Sequence, residues 1–260
     1  MAKKSLGQNF LLDLNLTAKI ARAIGNTKDK NIIEIGPGPG GLTRALLETD
    51  AKHIYALEKD ERCITALQTL KDFYPDRFTL ASADALNTDI LTVCDAPRAI
   101  AANLPYNIAT PLLINWLKQI DDIDSMTLMF QKEVADRICA KPRTKAYGRI
   151  SIISQWLCNV EKKFDIPASA FTPPPKVTSS VVHFTPIRKR TDGVKFEIME
   201  KITAAAFGQR RKMLRQSLKA LDINIEELLA SININPQARA EELTVQDFIK
   251  LAQAYQKTLF

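Results

Sequence analysis

The sequence predicts an α/β protein, with a doubly wound, mostly parallel sheet followed by a small all-α domain. From residue 31, short apolar runs rich in β-branched residues alternate with segments of helical periodicity. A glycine-rich stretch directly follows the first of these runs, and after residue 188 only helical patterns remain. Because alternating strands and helices with connections of this length form parallel sheets, the first region predicts the sheet and the second a separate helical domain.

Seven segments have the pattern of strands. They are residues 31–35, 53–58, 77–82, 98–102, 126–131, 160–166 and 179–187. The last two flank a proline-rich turn, and a final edge strand joined by a tight connection can run antiparallel, so we predict that orientation for the last strand. The predicted domains are therefore residues 1–188, containing the sheet, and residues 189–260, which are helical.

The helical region carries the basic charge of the chain. Residues 195–221, 224–232 and 244–256 are predicted helices, and Thr244 is a suitable N-cap for the last. Residues 186–219 contain ten Lys/Arg against three Asp/Glu, a net +7 that equals the net charge of all 260 residues. A basic block of this kind is a candidate binding surface for a polyanion, and we favour nucleic acid over the alternative of a solvated helix face.

Composition excludes several classes of protein. With 46% hydrophobic and 25% charged residues the chain resembles an ordinary globular protein, and no apolar run is long enough to span a bilayer. The N-terminus lacks the apolar segment of a signal peptide, which predicts a cytoplasmic protein without a membrane partner. The four cysteines are far apart and only two histidines occur, so we predict reduced thiols and no metal site.

Residues 31–43 combine a predicted strand with a glycine-rich turn. In "NIIEIGPGPGGLT", Gly36, Gly38 and Gly41 satisfy the pattern G-x-G-x-x-G, in which glycines let the backbone turn tightly beside a ligand. Glu58 ends the second strand and Asp84 lies at the corresponding end of the third, and Glu58 has the spacing of an acid that binds a ribose diol. The carboxyl ends of parallel strands line one crevice, so these residues predict a nucleotide-type cofactor site. The residues alone leave open whether the cofactor is NAD or S-adenosylmethionine.

Residues 103–110, "NLPYNIAT", follow the fourth predicted strand. Asn and Pro both favour turns, so an ordinary turn is one interpretation. The other is a pocket in which Asn103 and the Leu104 carbonyl hold an amino group, Pro105 fixes the loop and Tyr106 stacks on a flat ring. The near absence of histidine argues against a dehydrogenase, because His53 and His183 both lie within strand patterns.

Four segments together resemble the ribosomal RNA adenine N6-dimethyltransferase family. They are "SLGQNFL" (5–11), "IEIGPGPGGLT", "NLPYNIATPLL" (103–113) and "FTPPPKVTSSVV" (171–182), and the resemblance extends over the whole chain. It is strongest to the members that dimethylate two adjacent adenosines near the 3′ end of 16S rRNA, within the 30S subunit. The resemblance implies a Rossmann-like methyltransferase sheet and S-adenosylmethionine as cofactor.

The resemblance also implies roles for individual residues. Glu58 would bind the ribose hydroxyls of the cofactor, and Asp84 its adenine amine. Asn9 and the Leu11 backbone would contact its methionine end, and Gly36, Gly38 and Asn103 would also bind the cofactor. Phe171 would cover the second face of the target base, opposite Tyr106. For "GQNFLLD" (7–13), however, the residues alone also fit the start of a helix.

The basic segment 208–219 is where we expect RNA backbone contacts, and we read it as a helix. Its candidate residues are Arg210, Arg211, Lys212 and Arg215. The expected partner is 16S rRNA in the 30S particle, bound by a monomer. Three alternatives remain at this stage: a 23S rRNA methyltransferase of the macrolide-resistance type, a largely non-catalytic 30S assembly factor, and an NAD-linked oxidoreductase.

Overall fold

The computed structural model describes residues 9–259, and nine strands occur within them. These are β1 (Phe10–Leu11), β2 (Asn31–Ile35), β3 (His53–Glu58), β4 (Phe78–Ser82), β5 (Arg98–Asn103), β6 (Ser125–Gln131), β7 (Cys158–Ile166), β8 (Phe171–Thr172) and β9 (Ser179–Pro186). Each of the seven predicted strands is present within two residues of its predicted bounds. The two short strands, β1 and β8, were not predicted, and they pair with each other in an antiparallel two-stranded sheet.

The main sheet has the order β4-β3-β2-β5-β6-β9-β7. The pairs β2–β3, β2–β5, β3–β4 and β5–β6 are parallel, whereas β9 runs antiparallel to β6. This confirms the predicted fold class, including the antiparallel last strand. The carboxyl ends of β2, β3, β4 and β5 lie at one edge of the sheet, which is where the predicted cofactor residues follow them.

The sequence suggested that the last strand lies at the edge of the sheet, but the structure places it inside the sheet. β9 lies between β6 and β7, and β7 forms the edge. Burial explains the difference: the first four residues of β9 are fully buried, whereas β7 contains Glu161, Lys162 and Lys163, which remain partly or fully exposed. Charged residues suit an edge strand because they discourage pairing with a further chain.

Ten α-helices accompany the strands within residues 9–259. They are α1 (Leu14–Ala23), α2 (Gly41–Leu47), α3 (Glu61–Phe73), α4 (Tyr106–Lys118), α5 (Lys132–Ile138), α6 (Arg149–Leu157), α7 (Phe196–Gly208), α8 (Leu214–Ser217), α9 (Ile225–Ser231) and α10 (Val245–Lys257). Thr244 caps α10 as predicted, because its side chain accepts from the Asp247 amide. The alternative of a helix start within residues 7–13 is wrong for residues 10–11, which form β1; α1 begins after its N-cap Asp13.

The predicted basic helix over residues 208–219 is interrupted. α7 ends at Gly208, residues 209–213 form a turn, and α8 contains only Leu214–Ser217. Two contacts fix the turn: the Lys212 amide donates to the Gln209 carbonyl (2.8 Å), and Met213 forms an isolated bridge with Arg239. Long basic side chains fit helical periodicity and an exposed turn equally well, so the sequence pattern did not reveal the break.

The chain forms two compact units. The first comprises Met1–Ala135 and Glu161–Pro186, and the second comprises Asp136–Val160 and Ile187–Phe260. The C-terminal part of the second unit begins at Ile187, beside the boundary we predicted at residue 188, but the unit also contains the earlier segment with α6. We drew the boundary where strand patterns give way to helical ones. The segment with α6 lies before that point in the sequence, so the prediction left it in the first domain. The division into a methyltransferase-type domain, residues 1–188, and a helical domain, residues 189–260, stays a prediction.

Candidate active site

The glycine-rich turn leaves the sheet at the end of β2. Gly36 and Gly38 have φ of +66° and +57°, a backbone region that side chains disfavour. A Cβ atom on Gly38 would also lie 2.9 Å from two ring carbons of Phe10. The third glycine of the motif, Gly41, begins α2, and a Cβ there would overlap the Leu11 carbonyl oxygen. The turn is therefore closely covered by the N-terminal strand β1.

The Glu58 carboxylate is fixed by three backbone amides. Its Oε2 accepts from Gly38 N (3.0 Å), and its Oε1 accepts from Lys59 N and Asp60 N (both 2.8 Å). Only 7% of the residue is exposed. A carboxylate offers about four acceptor positions, so Glu58 keeps acceptor capacity while the glycine turn holds it in place.

Asp84 lies in the loop after β4 and makes an ion pair that sequence reasoning missed. Its Oδ2 is 2.7 Å from Lys59 Nζ, and its Oδ1 accepts from the Leu86 amide. The hydrogen bond from Lys59 holds the pKa of the Asp84 carboxyl below its usual value. Because the Lys59 side chain is 68% exposed, this pair is a weak one that a ligand can displace.

Two adjoining cavities contain most of the predicted cofactor and substrate residues. The first is lined by Asn9, Phe10, Leu11, Glu34, Gly36, Gly38, Glu58, Asn103, Leu104, Pro105 and Tyr106, among others. The second is lined by residues that include Glu58, Asp84, Leu86, Asn107 and Ile108. Gly36, Glu58 and Pro105 border both, so a ligand can extend from one cavity into the other. Residues 5–8 of the N-terminal motif lie outside the described residues.

Residues 103–106 form the turn between β5 and α4. Pro105 is the N-cap of α4, with φ −55° and ψ 129°, and Leu104 is 1% exposed. The Asn103 side chain donates from Nδ2 to the Asn9 carbonyl (3.2 Å), which directs its amide group by a contact to the N-terminal segment. Because Nδ2 makes this contact, the orientation of the amide is set, and Oδ1 is the atom of the side chain that can accept a hydrogen bond from a ligand.

Tyr106 is held by a contact from a distant part of the sequence. Its hydroxyl is 2.7 Å from Ser179 Oγ, at the first residue of β9. Burial raises the pKa of Tyr106 above its usual value. The Tyr106–Ser179 hydrogen bond holds the ring where it lines the first cavity. Ser179 lies within the quoted segment 171–182, but it was not among the predicted site residues.

Phe171 is placed in the core of the first unit. It is 3% exposed, pairs with Leu11 across β8 and β1, and belongs to a cluster with Ile20, Met129 and Val181. The cavity-lining residues described above do not include it. To contact a base, Phe171 would have to be uncovered, so its predicted role stays a prediction. The aromatic side chain that does line the first cavity from this region is Phe10.

Glu34 is an unpredicted buried acid beside the cavity. It lies within β2, is 1% exposed and lines the first cavity. Within the described residues, its Oε2 has no hydrogen-bond partner. The pKa of Glu34 is raised to about 8, chiefly because burial desolvates the carboxylate; Thr43 lowers the pKa and the nearby Glu58 charge raises it to a smaller extent. An acid between the isoleucines of "NIIEI" was the available signal.

The four predicted RNA-binding residues have different environments in the second unit. Arg211 and Lys212 are exposed in the turn 209–213. Arg215 is half-buried in α8. Arg210 is engaged within the protein: its Nη2 donates to the carbonyls of Lys145 and Tyr147, both at 2.9 Å, and lies 3.4 Å from the Glu241 carboxylate.

Three structural features bear on other kinds of site. No group of His, Cys, Asp and Glu within residues 9–259 has an arrangement suited to a metal ion. None of the helices in this range is both long and apolar enough to cross a bilayer. The four cysteines, all in the described part of the chain, form no disulfide.

Comparison with known proteins shows the same family along the whole chain. The model of the ribosomal RNA adenine dimethylase family matches residues 1–257. The ribosomal RNA small subunit methyltransferase A of Rhodospirillum rubrum is 53% identical over 253 residues, covering 97% of this chain and 88% of the relative.

Two solved structures have the same fold. A dimethyladenosine transferase from Plasmodium falciparum superposes with a TM-score of 0.85 at 25% identity, covering 96% of this chain and 98% of that chain. A 23S rRNA methyltransferase gives 0.69 at 23% identity, covering 95% and 100%, and this likeness concerns the fold alone. The chain therefore belongs to the ribosomal RNA adenine dimethylase family and is an S-adenosylmethionine-dependent methyltransferase with a Rossmann-like sheet.

Proposed function

We propose that this enzyme transfers methyl groups to N6 of two adjacent adenosines near the 3′ end of 16S rRNA, within the small ribosomal subunit, and acts late in the assembly of that subunit. The observation that carries the proposal is the turn 103–106, which borders both cavities at the carboxyl edge of the sheet. The name of the Rhodospirillum rubrum relative supports the small subunit as the substrate particle. The enzyme would act in the cytoplasm as a monomer.

The residues around the two cavities fit S-adenosylmethionine. Glu58 sits where the cavities adjoin, and its fixed carboxylate suits the ribose hydroxyls. Asp84 in the second cavity suits the adenine amine, in exchange for its exposed contact with Lys59. Asn9 and Leu11 line the first cavity, where the methionine end would lie. When bound, the cofactor supplies a methyl group on a positively charged sulfur.

Asn103 and Leu104 would prepare the adenine amine for reaction. The lone pair of this nitrogen is delocalised into the ring, which makes the amine a poor nucleophile. Acceptors that hold its N–H groups out of the ring plane return the lone pair to the nitrogen, and the Asn103 Oδ1 and Leu104 carbonyl oxygens are suitable acceptors. Pro105 fixes the geometry of the turn. The contribution to the rate then comes from positioning and charge stabilisation.

The methylated nitrogen must release one proton for each methyl group that it receives. Its acidity rises once it carries the additional methyl group, so water is a sufficient acceptor. This agrees with the described cavity linings, which contain no histidine. Tyr106 would stack on one face of the base, and Phe171 on the other if β8 moves to uncover it.

The RNA backbone is the proposed ligand of the second unit. Arg211 and Lys212, exposed in the turn 209–213, would contact phosphates, and Arg215 would add a third contact from α8. Such contacts fix the position of the RNA without reading its sequence. The target adenosines must leave their stack to enter the cavity, as bases generally do in base-modifying enzymes.

The proposal is tested with labelled S-adenosylmethionine and two substrates, undermethylated 30S particles and 23S rRNA. We expect label in the 30S particles alone, and primer extension should stop at two adjacent adenosines near the 3′ end of 16S rRNA. Label in 23S rRNA alone would refute the proposal. Docking on 30S particles without transfer of label would instead show an assembly factor.

A further inference from the structure

A loop of the second unit lies directly beside the turn 209–213. This loop, residues 139–148, connects α5 to α6 and is separated from the turn by more than sixty positions in sequence. Arg210 joins them through its two hydrogen bonds to the Lys145 and Tyr147 carbonyls. A second link runs from the Arg143 amide to the Glu241 carbonyl (2.7 Å), and the Glu241 side chain is the acid beside Arg210.

The end of the loop is anchored in the interior. Tyr147 is fully buried, with its ring centroid 6.3 Å from that of Phe207 in an edge-on arrangement. The Arg210 guanidinium carbon lies 6.0 Å from the centroid of the same Phe207 ring. The loop is thus tied to α7 and to the turn by packing as well as by hydrogen bonds, so its position relative to the turn is fixed.

The surface that results is strongly basic. Lys141, Arg143 and Lys145 of the loop are exposed, as are Arg211 and Lys212 of the turn. Among the ion pairs of residues 9–259, none involves these five side chains. The acid that faces this region, Glu241, is engaged by Arg210. Five clustered cations without acidic partners create a positive potential that favours a polyanion.

We propose that residues 141–145 are a second phosphate-binding segment, which forms one composite RNA-binding surface with Arg211 and Lys212. Arg210 is a positioning residue in this arrangement, since its guanidinium is already bonded to the loop and to Glu241. The inference rests on the proposed function, because it names a further contact surface for the same RNA. It also reassigns Arg210, which the sequence had grouped with the phosphate-contacting residues.

The loop is tested by binding to undermethylated 30S particles over a range of salt concentrations. The variant Lys141→Ala/Arg143→Ala/Lys145→Ala should bind about tenfold or more weakly at low salt. Its slope of log K against log salt should be smaller by roughly two to three, since each phosphate contact contributes about one. A matched control, Lys28→Ala/Lys52→Ala/Lys71→Ala, removes three exposed cations from the first unit and should retain both affinity and slope.

Different binding results would contradict the proposed function and the role of the loop. If wild-type enzyme fails to bind 30S particles, the proposed function fails. If wild type binds and the loop variant has unchanged affinity and slope, the loop inference alone is refuted. Equal losses of affinity in the loop variant and its control would show that 30S particles respond to the net charge of the protein and not to the loop, which would also refute the loop inference. Binding of cofactor, measured by calorimetry, should be the same in all variants and reports that the first unit is folded, and unchanged urea unfolding reports the same for the second unit.

The role of Arg210 is separated from direct contact by combining variants. Arg210→Ala should speed hydrogen exchange at the amides of residues 141–147 and weaken binding to 30S particles. In the background of the loop variant, it should produce no further change in salt slope, because residues in one network are not additive. A further loss of about one in the slope there would show that Arg210 contacts a phosphate itself.

Discussion

At the scale of single residues, Asn103 is the residue on which the proposed chemistry depends most. We expect Asn103→Ala to reduce the rate of methyl transfer in single turnovers by about 10²–10³, which corresponds to the loss of one polar group that stabilises a transition state. Asn115→Ala removes an exposed amide from α4, the helix that follows the turn 103–106, and should leave the rate unchanged. Near-normal transfer by Asn103→Ala at saturating cofactor would refute its role.

Tyr106 combines two functions that substitutions can separate. Tyr106→Phe retains the ring and removes the hydrogen bond to Ser179, so we expect a loss of about 0.5–1.5 kcal/mol in the free energy of unfolding and little change in transfer. Tyr106→Ala should also lose roughly 1–3 kcal/mol of base stacking, seen as weaker use of RNA at unchanged cofactor affinity. If calorimetry shows that Tyr106→Ala no longer binds cofactor, the ring belongs to the cofactor pocket.

Glu34 should make the stability of the protein depend on pH. Its pKa is raised by burial from 4.5 to about 8, so the folded protein keeps a proton that the unfolded chain releases above about pH 4.5. Stability from this group is therefore fully present below that pH and declines as pH rises toward 8, by on the order of a few kcal/mol. Glu34→Gln cannot ionise and should lack this decline.

Urea unfolding at pH 5 and pH 8 measures the effect. The free energy of unfolding of Glu34→Gln relative to wild type should rise by at least about 1 kcal/mol between the two pH values. The exposed Glu226→Gln serves as the control and should show a constant difference from wild type. A constant difference for Glu34→Gln as well would contradict the raised pKa.

At the scale of elements, the contact between β1 and α2 is the tightest backbone approach at the site. Gly41→Ala would place a methyl group against the Leu11 carbonyl, so β1 or α2 must shift. We expect a loss of about 1–3 kcal/mol in the free energy of unfolding, together with weaker cofactor binding, because Leu11 and Gly41 both line the first cavity.

Gly208 offers a matched control for this prediction. It is also a terminal residue of a helix, α7, but a Cβ there meets no atom within 4 Å. Gly208→Ala should be neutral or stabilising by up to about 1 kcal/mol, since alanine favours helix. Equal effects of the two substitutions on unfolding and on cofactor binding would show that the approach to Leu11 is unimportant.

The elements show what the sequence can and cannot predict. The main strands were predicted closely, because a run such as residues 31–35 is buried on both faces and three of its five residues are isoleucine, which favours strands. The position of β9 inside the sheet was not predicted, because the order of strands depends on which strand has to be shielded from solvent. Contacts such as Tyr106–Ser179 and Arg210–Lys145 join residues 73 and 65 positions apart, and no local pattern reports them.

At the scale of the whole molecule, the net charge belongs to one unit. The second unit contains eighteen Lys/Arg against ten Asp/Glu, whereas the first contains eighteen against nineteen. The first unit has the two cavities and the acids that line them, among them Glu58 and Asp84. The chain therefore separates a nearly neutral unit suited to a small cofactor from a basic unit suited to a polyanion.

This separation predicts that salt affects the two ligands differently. Phosphate contacts release counterions from RNA, so affinity for 30S particles should fall by about a hundredfold or more between 50 and 200 mM salt if several cations take part. Cofactor binding depends on buried, directional contacts such as those of Glu58, which salt screens weakly, and its Kd should change less than about twofold. Calorimetry and particle-binding assays at matched salt concentrations measure both. Parallel losses of cofactor and particle binding would show that the first unit also depends on long-range charge, and would contradict the separation.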